Sequence, residues 1–394
     1  MTPALVVGAG LSGLATAWCL RDRGFMVSVV EAANQPGGLI HTELTANGPV
    51  ETAANAFVWS DVVRDWFARL DIDPVFARPE SRRRYIFRGG RARRWPLTVG
   101  ESATLVLKLG AAGVSRRFGA RERESAADWG DRIIGRAGRQ WLLDPAMQGI
   151  YAAPADQLSA SLIFGGGRRP RPRMAAPAGG MGQFVERLHR RLVDRGVHFA
   201  FAEPATRLDA DRPVAVCTGA PAAARLLAPW APRLAEAVAQ VRVSGLASVT
   251  AFFEPRPDDL RGFGVLFPRG AQVDALGVLI NTDIFEGRGR ARSETWIYGN
   301  REGAVTAWSD ARLRDALVAD RRTLNGRHVE PLTIHIARRP EAIPVYDDTV
   351  SRVANALDTL PPWIAVAGNY LGQIGVSRLL EVAEKAARRL EAGK

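Results

Sequence analysis

Three glycines and one acid near the amino terminus carry the first chemistry legible in this sequence. Gly8, Gly10 and Gly13 form a G-x-G-x-x-G run, and Glu31 lies 18 residues beyond Gly13. Each residue type suits a task in holding a dinucleotide. Gly8 permits a tight turn, Gly10 lets the main chain approach a pyrophosphate, and Gly13 lets a helix pack on a sheet. Glu31 can accept hydrogen bonds from a ribose hydroxyl pair, which favours an adenosine without a 2′-phosphate. The elements needed to position these residues are present in order. "ALVVGAG" reads as a buried strand running into a glycine turn, "LSGLATAWCLRDRG" as a helix with small residues on its inner face, and "MVSVVEA" as the second strand.

Two more glycine regions extend the pattern. Gly37 and Gly38 in "NQPGGLIHT" follow the acid, where a second pair lets the chain pass close to a dinucleotide already in place. Near the other end, "AGNYLGQIGVSRLLEVAEKAARRL" leads from a glycine-bearing loop into an amphipathic helix striped by Leu379, Leu380, Val382, Ala383, Ala386, Ala387 and Leu390. Its first turn carries no acid. Unsatisfied N–H groups at such a helix start can meet an electron-rich group, although a docking helix with a tight leading turn would use the same residues.

Composition bounds the class. At 394 residues, with 47% hydrophobic and 24% charged residues, the chain is an ordinary globular protein of two or three domains. No apolar run reaches the roughly 18–20 residues of a membrane span, and the glycine-broken stretch after Met1 lacks a secretory pattern. Two cysteines, Cys19 and Cys217, make no disulfide framework or metal spacing, which suits a reducing cytoplasm. The net charge of +12 is arginine-borne, with Lys108, Lys385 and Lys394 the only lysines. No nucleic-acid-binding signature accompanies it, so no nucleic-acid partner is expected. An anionic membrane surface suits the charge better, and a solvated basic surface accounts for it equally.

The N-terminal run, together with segments farther along the chain, resembles the FAD-binding domain of the flavin amine oxidase superfamily. "RRYIFRGGRARRWPL", "LLDPAMQGIYAAPADQLSA", "PAGGMGQFVERL", "GFGVLFP", "RRPEAIPVYD" and "AGNYLGQIGV" narrow the resemblance to its protoporphyrinogen oxidase branch. The implied fold is α/β: an FAD-binding Rossmann-like domain (1–83, 177–240 and 343–394), a mixed-sheet substrate domain (84–97 and 241–342) and a shortened helical insertion (98–176). Implied FAD contacts are Gly8, Ala9, Gly10, Leu11, Ser12, Gly13, Glu31, Ala32, Gly37, Gly38, Leu39, Ala54, Asn55, Ala56, Ala205, Gly368, Asn369, Ile374, Gly375 and Val376. Backbone N–H groups at Ile374–Val376 would face the pyrimidine edge of the flavin, where negative charge develops on reduction.

The resemblance further implies an oxidase that moves hydride from a porphyrinogen carbon to the flavin, with molecular oxygen as acceptor, in heme biosynthesis. No side chain need act as catalyst, because the flavin carries the chemistry. Arg84 would pair with a propionate or be a surface arginine beside Arg82 and Arg83, while Phe263, Gly264 and Leu266 would line the cavity or belong to the sheet core. The insertion would either seat on a membrane through "ATLVLKLGAAGV" and Arg116, Arg117, Arg121 and Arg123, giving a cytoplasmic protein peripheral to the inner face, or form an internal helix with a basic surface end. A homodimer is a further partner state compatible with the family. The departures are Ala53-Ala54 for a Gly-Pro, "GIYAAP" for "GIYAGD", a short segment before Gly179, and Leu379-Leu380 for a Ser-Gly. On the resemblance the flavin site is kept, whereas the substrate cavity is rebuilt or partly lost. The alternatives are an oxidase of another apolar or amine substrate, or an FAD-fold binding protein with reduced catalysis.

Overall fold

Short apolar runs make the strands of a parallel sheet, and five short strands build the sheet that matters most. The computed structural model describes residues 2–114, 118–165, 173–299, 305–372 and 375–393. β1 (Thr2–Val7), β2 (Phe25–Val30), β10 (His198–Ala200), β11 (Val214–Val216) and β17 (Ile364–Val366) form one sheet in the order β10-β2-β1-β11-β17. All four pairings are parallel, so every strand ends on the same edge. In a sheet of this kind ligands bind outside those carboxyl ends.

Three helices position the site, α1 (Leu11–Asp22), α3 (Met181–Asp194) and α4 (Val376–Ala392), while α2 (Val99–Val114) packs on other helices of the insertion. α1 is buried on every side from Leu11 to Leu20, because α4 and α3 both pack on it. That is why its sequence is apolar all round, whereas α3 and α4 are striped. One core joins these helices to β1 and β2; a second fills the opposite side with Val7, Val214, Val216 and Ile364.

The second sheet is mixed and has seven strands. Its order is β16-β12-β15-β14-β13-β7-β8, from β7 (Arg84–Arg88), β8 (Arg91–Arg93), β12 (Val243–Phe253), β13 (Gly264–Leu266), β14 (Gly277–Ile280), β15 (Arg292–Gly299) and β16 (Thr333–Pro344). Only β13 and β7 run parallel. The β7–β8 hairpin turns at Gly89 and Gly90, with φ of 62° and 75°, a turn that favours glycine at both positions. Two small sheets complete the strands: the hairpin of β3 (Thr42–Thr45) and β4 (Gly48–Glu51), and β5 (Phe57–Val58), β9 (Met174–Pro177) and β6 (Pro74–Phe76). Helices dominate residues 99–164, but Met174–Pro177 is extended rather than part of the helical stretch expected to reach 176. Ala175 and Ala176 are small enough to lie buried between β5 and β6, and Pro177 closes the strand.

Candidate dinucleotide site and the pocket beside it

The glycines of the first turn have different reasons to be glycine. Gly8 has φ +103°, and a Cβ there would sit 2.7 Å from the Cys217 carbonyl oxygen. At Gly13 a Cβ would lie 1.8 Å from the Gly8 carbonyl, inside the atom. The chain's own packing demands both. Gly10 is another case: its φ is −70°, and a Cβ would meet nothing nearer than the Gly38 Cα at 3.9 Å. Nothing in the protein requires glycine there, so its effect is to keep a groove open. Gly37 pairs with Gly10 in a parallel bridge and donates its N–H to the Ala9 carbonyl at 2.9 Å. Gly38, with φ +62°, completes the wall, and Leu39 is half-buried behind it.

α1 opens at this groove with Leu11 and Ser12. It has no side-chain cap and no acid in its first turn, so its leading N–H groups are unanswered by a side chain. At the end of β2 the Glu31 carboxylate accepts from the N–H of Ala9 at 2.6 Å and of Ala33 at 2.9 Å. These bonds hold it beside the glycine turn with lone pairs to spare. Ala32 is exposed next to it, and the chain after β10 runs alongside, with the Glu203 N–H on the Glu31 carbonyl. Ala205 comes next along this stretch, half-buried against the second core.

The other end of the site gathers around α4. Gly375 has φ +94° and open space where a Cβ would be; α4 then begins at Val376 without side-chain cap or first-turn acid. Ile374 lies outside the described residues. Ser377 fixes the helix start to β5: its Oγ accepts from the Val58 N–H and donates to the Val58 carbonyl, each at 3.0 Å. That clamp brings Ala54, Asn55 and Ala56, half-buried just before β5, toward the same place. Gly368 is glycine for a local reason, since a Cβ would strike the Tyr370 ring at 2.5 Å. Asn369 donates its side-chain N–H to the Ala342 carbonyl, and its own carbonyl accepts from the buried Tyr346 hydroxyl at 2.7 Å.

The four substrate-side residues come together on adjoining strands. Arg84 and Gly264 are register partners, and the Arg84 guanidinium sits 4.6 Å from the Phe263 ring centroid. Gly264 is a packing glycine, for a Cβ would approach the Val278 carbonyl to 1.9 Å. Leu266 reaches the helix Asp144–Tyr151 and occupies the space a Cβ at Gly149 would need.

The surrounding chemistry is quiet. Burial pushes the thiols of Cys19 and Cys217 up to about 12, so neither is a nucleophile. No cluster of three or more His, Cys, Asp or Glu able to hold a metal exists among the described residues. Burial, aided by the Arg339 charge, lowers the pKa of His41, whose Nε2 lies 3.1 Å from the Gly38 carbonyl. Three residues here carry no sequence signal of their own: His41 and Arg339 lie inside "NQPGGLIHT" and "RRPEAIPVYD" without standing out there, and Glu51 lies in neither. Glu51, deeply buried, caps α3 by accepting from the Met181 N–H at 3.0 Å and pairs with Arg288 at 2.7 Å.

An extended dinucleotide therefore fits on two observations: the open groove at Gly10, and the starts of α1 and α4, both left without side-chain cap or acid. Comparison with known proteins agrees. Residues 11–338 match the family described as flavin containing amine oxidoreductase. The chain is 25% identical to a chloroplastic protoporphyrinogen oxidase of Oryza sativa, over 98% of its own length and 87% of the relative's. It is 27% identical to a coproporphyrinogen III oxidase of Mycobacterium bovis, over 98% and 97%. A candidate protoporphyrinogen oxidase from Exiguobacterium sp. 255-15 superposes with a TM-score of 0.86 at 18% identity, over 100% and 99% of the two chains. A putrescine oxidase with bound putrescine superposes with a TM-score of 0.75 at 16% identity, over 99% of each.

Proposed function

The chain belongs to the flavin containing amine oxidoreductases, with FAD as its cofactor, and from that premise we propose that it is an oxidase whose substrate is a porphyrinogen. The observation that carries the oxidase reading is the α4 start. It is uncapped, free of acid and clamped by Ser377, so its N–H groups can stabilise negative charge on whatever they face. When bound, FAD would supply the two-electron acceptor for hydride from a substrate carbon, with oxygen as the final acceptor and hydrogen peroxide as its product. The chain's own part is to bind and orient. The Gly10 groove and α1 start receive the pyrophosphate, Glu31 the ribose hydroxyls, and the α4 start the pyrimidine edge of the flavin.

The porphyrinogen reading is supported by relatives matched over nearly the whole chain and by Arg84, which no carboxylate pairs among the described residues and which can meet a propionate. A second reading, an amine substrate, is supported by the likeness to putrescine oxidase. Against it, Lys108 is taken up by the Asp131 carbonyl and Lys385 faces out on α4, so neither offers the ammonium expected near the flavin of an amine oxidase. Purified protein should be yellow. Peroxide release with protoporphyrinogen or coproporphyrinogen supports the first reading, and bleaching by anaerobic amines supports the second. A yellow protein inert to all of them would leave a flavin-binding protein without turnover.

The same reading includes peripheral docking on an anionic membrane at the cytoplasmic face. No helix among the described residues is long and apolar enough to cross a membrane. α2 nevertheless exposes Val99, Val106, Leu107 and Val114, the last at 90%, and Arg121 and Arg123 are exposed just beyond it. Arg116 and Arg117 lie outside the described residues. Each basic residue near an anionic surface contributes about 1 kcal/mol. Co-sedimentation with anionic vesicles that persists in high salt indicates apolar seating; no binding at low salt removes the membrane from the proposal.

A further inference from the structure

β16 does more than close the edge of its sheet. Toward its end it passes over the carboxyl ends of the parallel sheet, and contacts to chain following two of those strands mark its course. The Glu341 carboxylate lies 3.8 Å from the position of a Cβ on Gly219, just after β11. The Ala342 carbonyl accepts from Asn369, just after β17, at 3.2 Å. The Arg339 charge is felt at His41, which is in turn bonded to Gly38 beside the end of β1. This stretch of β16 therefore roofs the crevice where a dinucleotide binds.

Arg339 is the odd residue of that roof. It is half-buried, its Nε is shut from solvent without a partner, and its Nη1 donates to the Arg338 carbonyl at 3.2 Å. No carboxylate pairs with it among the described residues; Glu341, two residues on, reaches Gly219 instead. Elsewhere the chain neutralises its buried arginines with care: Arg288 by Glu51, and Arg292 and Arg321 by Glu294. Burial without a counter-ion disfavours the guanidinium charge of Arg339, so an anion beside it would be bound the more strongly.

We propose that Arg339 is a cofactor-binding residue that meets an anionic oxygen of the FAD pyrophosphate across the crevice from the α1 start. This rests on the FAD reading of the site and extends it. The helix start supplies only about half a positive charge against a pyrophosphate carrying two negative ones. A planar guanidinium can answer two of its oxygens at once. The groove at Gly10 and Gly38 adjoins His41, so the pyrophosphate is the anionic part of the cofactor nearest to it.

The test uses apoprotein and three probes: FAD, ADP-ribose, which keeps the pyrophosphate without the flavin, and riboflavin, which keeps the flavin without phosphate. R339Q should raise the Kd of FAD and ADP-ribose by a common factor of about ten or more and leave riboflavin unchanged. R339K should recover part of the loss, and circular dichroism should show both variants folded. Unchanged affinity for FAD and ADP-ribose would overturn the proposal. So would a loss confined to FAD, which would place Arg339 at the flavin ring, or a rise in substrate KM alone, which would place it on the substrate. Wild-type protein that binds neither FAD nor ADP-ribose would instead overturn the cofactor reading itself.

Discussion

Three long helices among the described residues begin behind a glycine with no acid in the first turn, α1 after Gly10, α3 after Gly180 and α4 after Gly375, as does the shorter helix Ala220–Leu227 after Gly219. As sequence they look alike. In the structure they part company. α3 is answered by the protein itself, for the Met181 N–H reaches Glu51 and the Gly182 N–H reaches Thr42 at 2.7 Å, and Thr42 in turn donates to Glu51. A Cβ at Gly180 would fall 2.5–2.7 Å from those same side chains. At Gly10 and Gly375 a Cβ would meet almost nothing. A glycine-led helix start is therefore a ligand site only where the chain declines to fill it, and a filled one is a structural joint.

The largest expected effect tests the open case. Gly10→Val should leave the fold intact, since φ is ordinary and the space is free, yet abolish FAD binding because the side chain occupies the groove. Gly13→Val, one helical turn on, should prevent folding. Absorbance at flavin wavelengths per mole of protein, with a melting curve, separates the two. A yellow Gly10→Val protein would break the comparison at its centre. Next in size is the filled case. Glu51→Ala strips α3 of its cap and leaves Arg288 buried without its carboxylate, which should destabilise by about 3–5 kcal/mol. Chemical denaturation measures it, and a loss below about 1 kcal/mol would mean that the joint is not structural.

The open start of α4 can be closed electrostatically rather than sterically. Val376→Asp places a carboxylate in the first turn, which the isolated helix would welcome. If those N–H groups face the flavin, the variant should hold its helix while the flavin becomes harder to reduce. A change of roughly 1–2 kcal/mol corresponds to a two-electron midpoint about 20–40 mV lower. An unchanged potential would remove α4 from the oxidase argument.

Much of this is legible in residue types alone. The parallel strands around "ALVVGAG" and "MVSVVEA" and the acid at Glu31 follow from local pattern, because buried parallel strands and glycine turns each leave a short signature. The glycine-led helix starts are equally visible, but their occupancy is not. Glu51 caps a helix 130 residues away in sequence, and no local pattern encodes so distant a partner. Arg339 escapes for the same reason: one arginine among many in an arginine-rich chain gains meaning only when the strand carrying it crosses the crevice. Gly264 and Gly368 go the other way. Both fall in motifs of the resembled family, and both turn out to be required by the chain's own packing.

The smallest effect concerns one more helix start, which sharpens the contrast because its solution is wholly local. α2 begins in a capping box. The Thr98 N–H donates to the Glu101 carboxylate at 2.8 Å, and the Glu101 N–H reaches back to the Thr98 hydroxyl at 3.4 Å. Arg88 adds two further bonds to that carboxylate, at 2.6 and 2.9 Å. The Arg88 bonds first, then the box, hold the Glu101 pKa down at about 2, against an ordinary 4.5. A folded-state pKa below the unfolded one means that the stabilisation is complete above about pH 4.5 and fades as pH falls toward 2. Glu101→Gln should therefore lower stability at neutral pH by about 0.5–1 kcal/mol, the range of a partly exposed cap. The difference from wild type should shrink steadily through that acid window. Denaturation curves at pH 7, 4 and 2.5 measure it, and a difference independent of pH would assign the effect to lost packing rather than to the charged cap.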